Sequence, residues 1–283
     1  MIRPSGLSRS FLCFALVVGL GGCKTLGHMF GHDKQPETET LPVESLYAEA
    51  KRDLHNENYG QARTEYQRLV ARFPYGPYSE QSQLDLAYVL YKTGKPEDAT
   101  SAVDKFIRTY PRQPNIAYAY YLKGLINFDR DVNLLTRIAR LDPSERDLGG
   151  PTQSFNDFAE VVRRFPDTRY AADSRQRMVY LRNELARYEM NVGLYYLGRG
   201  AYVAAANRGK YLLETYPESQ FNGDAVALMA ASYTALGEKP LADDARRVLE
   251  KSYPDHPYLT GHWPRKKGIL RHLNPFSGEY DYK

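Results

Sequence analysis

The chain has 283 residues, 42% hydrophobic and 25% charged, with a formal net charge of +4; this is the composition of a folded globular protein and asks for no nucleic-acid partner. Two cysteines, Cys13 and Cys23, exclude a disulfide-dense scaffold. Tyrosine is abundant, at 24 residues, and this much amphipathic ring surface needs either a core or a recognition face to occupy.

In chain order, Arg3 and Arg9 frame the start of an apolar run from Phe11 to Leu20. The run has the length of a signal-peptide core and falls well short of the about 20 residues needed to span a bilayer. It ends in Leu20-Gly21-Gly22-Cys23, which resembles the lipobox of bacterial lipoproteins. That resemblance implies cleavage after Gly22, so that residues 1–22 are a signal peptide. Cys23 is then the mature N-terminus, carrying a covalent S-diacylglycerol and an N-acyl chain (palmitate or similar) and no other cofactor. Each buried methylene contributes about 0.8 kcal/mol, and more than one chain makes the anchoring stable. Cleavage also removes Cys13, Arg3 and Arg9, so the mature chain forms no internal disulfide and must be held together by packing. Lys24, where retention in the inner membrane would favour Asp, implies by resemblance to Gram-negative lipoprotein sorting an outer-membrane destination facing the periplasm.

Residues 23–41 are polar and lack apolar periodicity. They are expected to form a flexible tether. His28 and His32 have the spacing of helical metal ligands, but no third ligand is near and nothing favours a helix there, so no metal site is expected.

From residue 42 to 254 the sequence repeats. An aromatic residue followed by proline recurs at Phe73-Pro74, Tyr110-Pro111, Phe165-Pro166, Tyr216-Pro217 and Tyr253-Pro254, at intervals of 37, 55, 51 and 37 residues. The shorter intervals lie near the 34-residue tetratricopeptide period, and the longer ones read as the same unit with insertions. Ahead of each proline runs a helical stripe, such as Tyr59, Ala62, Tyr66, Leu69, Val70 and Phe73. A small residue sits at a fixed place in it: Ala62, Ala99, Ser154, Ala205 and Ala242. Partner helices are expected upstream, with Ala50, Ala87, Gly124, Gly193 and Ala230 at their close-approach positions. Fold class is therefore all-α, a tetratricopeptide-repeat superhelix of about five helix pairs. The insertion around Leu125 to Gly150 is expected to be a protruding loop with a short helix. The other, Tyr170 to Leu197, has no proline and is expected to be one long helix or two nearly continuous ones. In the fifth unit Arg246 stands where an apolar residue is expected, as suits a terminal repeat.

First helices of such an array line a concave trough. The repeat template places Tyr47, Lys51, Leu54, Leu84, Tyr88, Tyr91, Tyr118, Tyr121, Leu125 and Phe128 on that face, an aromatic surface suited to an extended peptide. After Pro254, residues 255–283 gather Arg265, Lys266, Lys267 and Arg271 beside Trp263; such a tail fits either an anionic surface or a cap on the last repeat. No catalytic motif is present: there is no His-Glu-x-x-His, Gly-x-Ser-x-Gly or phosphate loop, and no enzyme activity is expected.

Cys23, the repeat spacing, the Tyr59-Gly60-Gln61-Ala62 helix start, the Phe73-Pro74-Tyr75-Gly76 turn and the run from Gly200 to Arg208 together resemble the BamD (ComL) family of outer-membrane assembly lipoproteins. The resemblance covers nearly the whole chain. It implies membership of the Bam complex with other Bam lipoproteins, recognition of unfolded β-barrel proteins by the N-terminal part (42–125), and docking of a POTRA domain of the barrel subunit BamA on the C-terminal part (151–254). Arg208, whose guanidinium can pair bidentately with a carboxylate, is the expected contact for BamA. The alternative is an outer-membrane lipoprotein scaffold for peptidoglycan enzymes or pilus assembly.

Overall fold

A computed structural model describes residues 41–138 and 148–264, with the backbone alone from 131 to 138. Among the described residues there are ten α-helices and no strand: α1 (Val43–His55), α2 (Tyr59–Arg72), α3 (Pro77–Lys92), α4 (Pro96–Thr109), α5 (Ile116–Ile138), α6 (Gly149–Arg164), α7 (Arg169–Gly198), α8 (Tyr202–Thr215), α9 (Asn222–Leu236) and α10 (Lys239–Ser252). They form five antiparallel pairs in chain order. A 3₁₀ turn, Pro257–Thr260, follows the last.

The aromatic–proline stops work as the sequence requires. Each aromatic residue leaves helical geometry, as at Tyr110 (φ −127°, ψ 57°), while its N–H still donates to the carbonyl four residues back. Proline then has no N–H to continue the ladder, and the residue before it is driven out of the helical region. Within pairs the small positions are buried: Ala50, Ala62, Ala87, Ala99, Ser154, Ala205 and Ala230 are inaccessible. At Gly193 a Cβ would lie 2.3 Å from a Leu228 methyl, and at Gly209 it would lie 2.8 Å from the Ala225 carbonyl oxygen. The second contact is with backbone, so α8 and α9 approach more closely than a Cβ at 209 would permit, while at 193 a Cβ would require the Leu228 side chain to move. Ala242 is only half-buried, since among the described residues no α-helix follows α10.

Apolar cores run between the layers: Leu84, Val103, Phe106, Leu122 and Ile126 in the N-terminal half, and Met190, Leu194, Leu212 and Leu228 in the C-terminal half. Beyond packing on its partner, each first helix touches the next first helix: α1 meets α3, α3 meets α5, α5 meets α7 and α7 meets α9. A row of mutually touching first helices is the inner wall of a superhelix, and the trough lies along it.

Two expectations about the insertions meet different outcomes. Residues 169–198 form one uninterrupted helix of 30 residues. The expected loop from Leu125 is instead helical through Ile138, because residues 126–138 hold neither glycine nor proline and nothing stops the propagating ladder. Gly149 and Gly150, at the end of that expected loop, instead open α6, with Pro151 in its first turn. Asp142-Pro143-Ser144, His28, His32, Cys23 and the basic residues after Pro264 lie outside the described residues. The start of the tail caps the last repeat: Tyr258, Leu259 and Trp263 pack on the α9–α10 core, and the Trp263 indole N–H donates to Asp224 at 2.6 Å. Arg246 is exposed and pairs with Glu250 along α10.

Candidate functional site: an aromatic trough pinned by carboxylates

The trough begins on α1 and α3. Tyr47 on α1 stands 5.4 Å from Tyr78 and 6.2 Å from Tyr66, ring to ring. Its hydroxyl donates to Oδ2 of Asp85 at 3.0 Å, and Tyr66 and Lys51 reach the same oxygen at 3.2 and 3.4 Å. Gln81 donates to the other oxygen at 2.9 Å. Asp85 is only 5% exposed, and this set of donors is what makes a buried carboxylate tolerable. Burial, followed by the charge of Asp85, drives the Tyr47 and Tyr66 phenols far above their ordinary range. Both remain donors.

The same device recurs at the next steps. Tyr91 on α3 donates to Asp129 on α5, and Tyr121 on α5 donates to Asp173 on α7 at 2.6 Å. Each tyrosine reaches the first helix of the following pair, so these bonds tie the inner wall together. Burial and then the bond to Asp173 push the Tyr121 phenol up to about 12. Burial opposes ionisation of Asp173, but the Tyr121 hydroxyl and Arg177 outweigh it and hold the carboxyl below its usual range.

Around Tyr121 the rings crowd together. Tyr121 stacks on Tyr170 at 5.2 Å and Tyr118 leans on Tyr170 at 5.6 Å; Tyr88 and Tyr91 are neighbours at 6.2 Å. Phe128 makes edge contacts with Phe158 at 6.0 Å and Tyr180 at 5.8 Å. The guanidinium of Arg177 lies 4.8 Å from the Phe128 centroid and bonds Asp173 at 2.6 Å.

The structure brings Tyr88, Tyr91, Tyr118, Tyr121 and Phe128 into this neighbourhood as half-buried rings, with Leu125 half-buried on the same helix. Tyr47 and Lys51 stand at its N-terminal end, where Leu54 packs under the α1–α2 pair. Leu84 is a correction: it is fully buried in the core with Phe106 and Leu122 and does not line the trough. α3 packs against α1, α2, α4 and α5, so its apolar residues face inward on several sides and Leu84 falls on the face toward α4 and α5. Sequence reasoning missed Asp85, Asp129, Asp173, Tyr170, Arg177 and Tyr180. An aspartate between Leu84 and Leu86, and the Asp173–Arg177 spacing of four on one helix, are the signals that were there.

A second polar node lies in the C-terminal half. Arg208 on α8 binds Glu189 on α7 at 2.7 Å; the carboxylate is buried while the guanidinium is partly exposed. Arg208 thus has an intramolecular partner and still shows part of its fork to solvent. Burial works against its charge, but Glu189 more than offsets this and raises its pKa.

Among the described residues no helix is long and apolar enough to cross a membrane, and no cluster of His, Cys, Asp and Glu could hold a metal. Helix pairs in register, stacked through their first helices around an aromatic inner wall, define a helical-repeat protein of the tetratricopeptide type. Residues 39–249 match the family model YfiO, described as "Outer membrane lipoprotein", and the chain belongs to this family. It is 51% identical over 246 residues to the outer membrane protein assembly factor BamD of Xylella fastidiosa strain 9a5c, covering 87% of this chain and 84% of that one. It is 40% identical over 258 residues to the protein of the same name from Neisseria meningitidis strain Z2491, covering 91% and 96%. The BamD of Vibrio cholerae is 30% identical over 232 residues, covering 82% and 96%.

Proposed function

We propose that this protein is the lipid-anchored component of the β-barrel assembly machinery, which recognises unfolded outer-membrane proteins and docks to the barrel subunit to promote their insertion. The observation that carries this reading is the near full-length similarity to proteins named as outer membrane protein assembly factors, joined to an inner wall lined with half-buried aromatic rings. An extended strand with alternate aromatic side chains suits that wall, because successive rings on one side of the strand meet rings of the trough.

On this reading Cys23 carries the lipid, the protein sits on the periplasmic face of the outer membrane, and the exposed part of Arg208 meets a carboxylate of a POTRA domain of BamA. The other Bam lipoproteins complete the complex. No catalytic step is needed: binding and release of the strand suffice.

Photo-crosslinkers at Tyr88 and Tyr121 test the trough, and are expected to capture C-terminal segments of nascent barrel proteins; capture of cell-wall enzymes alone would favour the scaffold. A crosslinker beside Arg208 is expected to capture the POTRA domain. Cys23→Ala is expected to release the protein from the membrane fraction.

A further inference from the structure

Resting on the peptide-binding reading, we propose that Arg177 is the residue of the trough that selects aromatic over aliphatic side chains in the bound strand. Three observations place it for this. Its guanidinium is fixed: Nε bonds Asp173 at 2.6 Å, and the Asp173 carboxylate is itself held by Tyr121 at 2.6 Å. A pinned planar cation meets a ligand without losing rotamer freedom on binding.

Its rings lie on one side. The Phe128 and Phe158 centroids stand 4.8 and 5.9 Å from the guanidinium carbon and 6.0 Å from each other. They therefore subtend well under a right angle at the cation, and the opposite side is not covered by them. The side chain retains 28% exposure.

The third observation is the surround. Tyr180, 43% exposed, closes on Phe128 edge to face at 5.8 Å, while Tyr121 and Tyr170 stack at 5.2 Å beyond Asp173. The Tyr121 hydroxyl also reaches the guanidinium, and on the proposal a ring of the strand meets the part of the cation that stays exposed. An aliphatic side chain gains the apolar contact and forgoes the attraction between the cation and the ring quadrupole.

The test uses the full lipidated protein in detergent micelles and two fluorescent peptides identical except that alternate positions are Phe in one and Leu in the other. Anisotropy gives both affinities. The wild type is expected to prefer the Phe peptide by roughly three- to tenfold. Arg177→Lys keeps the charge without the planar face, and Arg177→Gln keeps a donor for Asp173 without the charge. Both are expected to bind the Leu peptide about as the wild type does, within roughly twofold; Arg177→Gln is expected to lose most of the preference, and Arg177→Lys, which keeps the cation but not the pinned planar face, to keep only part of it. Leu-peptide binding also reports the fold, since an unfolded variant loses both peptides. An unchanged Phe preference in Arg177→Gln overturns the proposal, as does a wild type with equal affinities, which leaves the peptide-binding reading standing. A wild type that binds neither peptide overturns that reading and this proposal with it.

Discussion

Tyr121 on α5 and Asp173 on α7 share a hydrogen bond of 2.6 Å between residues 52 apart in sequence, and this bond joins the third helix pair to the fourth on the trough side. Its carboxylate also serves Arg177, so one bond supports the wall and the cation upon it. Removing the phenol should loosen both.

Tyr121→Phe is therefore expected to lower stability by about 1 kcal/mol, less than is usual for a charged acceptor because Asp173 is partly exposed. The sign of its pH dependence follows from the shift. The phenol has an ordinary pKa of 10.0 and is pushed up to about 12 when folded, so its contribution is complete below about pH 10 and is lost as pH rises toward 12. Chemical denaturation at pH 8 and at pH 11.5 should show the wild-type advantage over Tyr121→Phe shrinking. Absorbance titration of phenolate should show one late-ionising tyrosine fewer in the variant.

Asp85 is the more demanding case, since it is buried and holds Tyr47, Tyr66, Lys51 and Gln81 at once. Asp85→Ala leaves the hydroxyl of the fully buried Tyr66 without its acceptor. A loss of about 3 kcal/mol is expected, read as a lower urea midpoint. Asp85→Ala combined with Tyr66→Phe should recover part of it, because the stranded hydroxyl is then gone. Strict additivity of the two losses would show that the pair does not act as a unit.

These carboxylates also show what was legible in the sequence. The aromatic–proline stops and the small positions are local patterns with a helical period, and each lies within one unit, so they could be read directly. Asp85, Asp129 and Asp173 could not, since their tyrosine partners lie 38, 38 and 52 residues upstream, in the preceding helix pair, and a stripe read within one helix does not say which side chains bond across two pairs. Leu84 was misplaced because α3 carries Leu84, Leu86, Ala87, Val89 and Leu90 in close order, and a stripe so broad does not say which face meets the trough. The expected loop at Leu125 came from forcing an insertion onto a template, whereas 126–138 contains no residue that ends a helix. Tyr170, Asp173 and Arg177 belong to the N-terminal turns of α7, the very insertion that departs from the repeat, so no template position assigned them to the trough.

Glu57 offers a test of the turns. Gly94, Gly200 and Gly237 take left-handed φ angles of 71°, 74° and 77° between the helices of their pairs, and in the first pair Glu57 does so at φ 60°. A side chain costs roughly 1–2 kcal/mol in that conformation. Glu57→Gly removes the strain but adds freedom to the unfolded chain, leaving an expected gain of about 0.5–1 kcal/mol. Thermal melting should rise by about 1–3 °C, on the order expected for a chain of this size. Glu57→Ala should not reproduce it, since alanine keeps the Cβ that causes the strain.

Arg208 presents a last question, because losing it has two consequences that a binding assay alone would merge. Arg208→Ala removes a proposed contact for a POTRA carboxylate and also strands Glu189, which is only 4% exposed. The stranded charge should lower stability by about 2 kcal/mol, less than for a fully buried pair because the guanidinium is partly solvated. Glu189→Gln in the same background makes the stranded group neutral and should restore most of the lost stability. Binding separates the two roles. If Arg208 touches the partner, the double variant regains its urea midpoint but not its affinity for a purified POTRA domain. Recovery of both would mean that Arg208 acts only by neutralising Glu189 inside the fold.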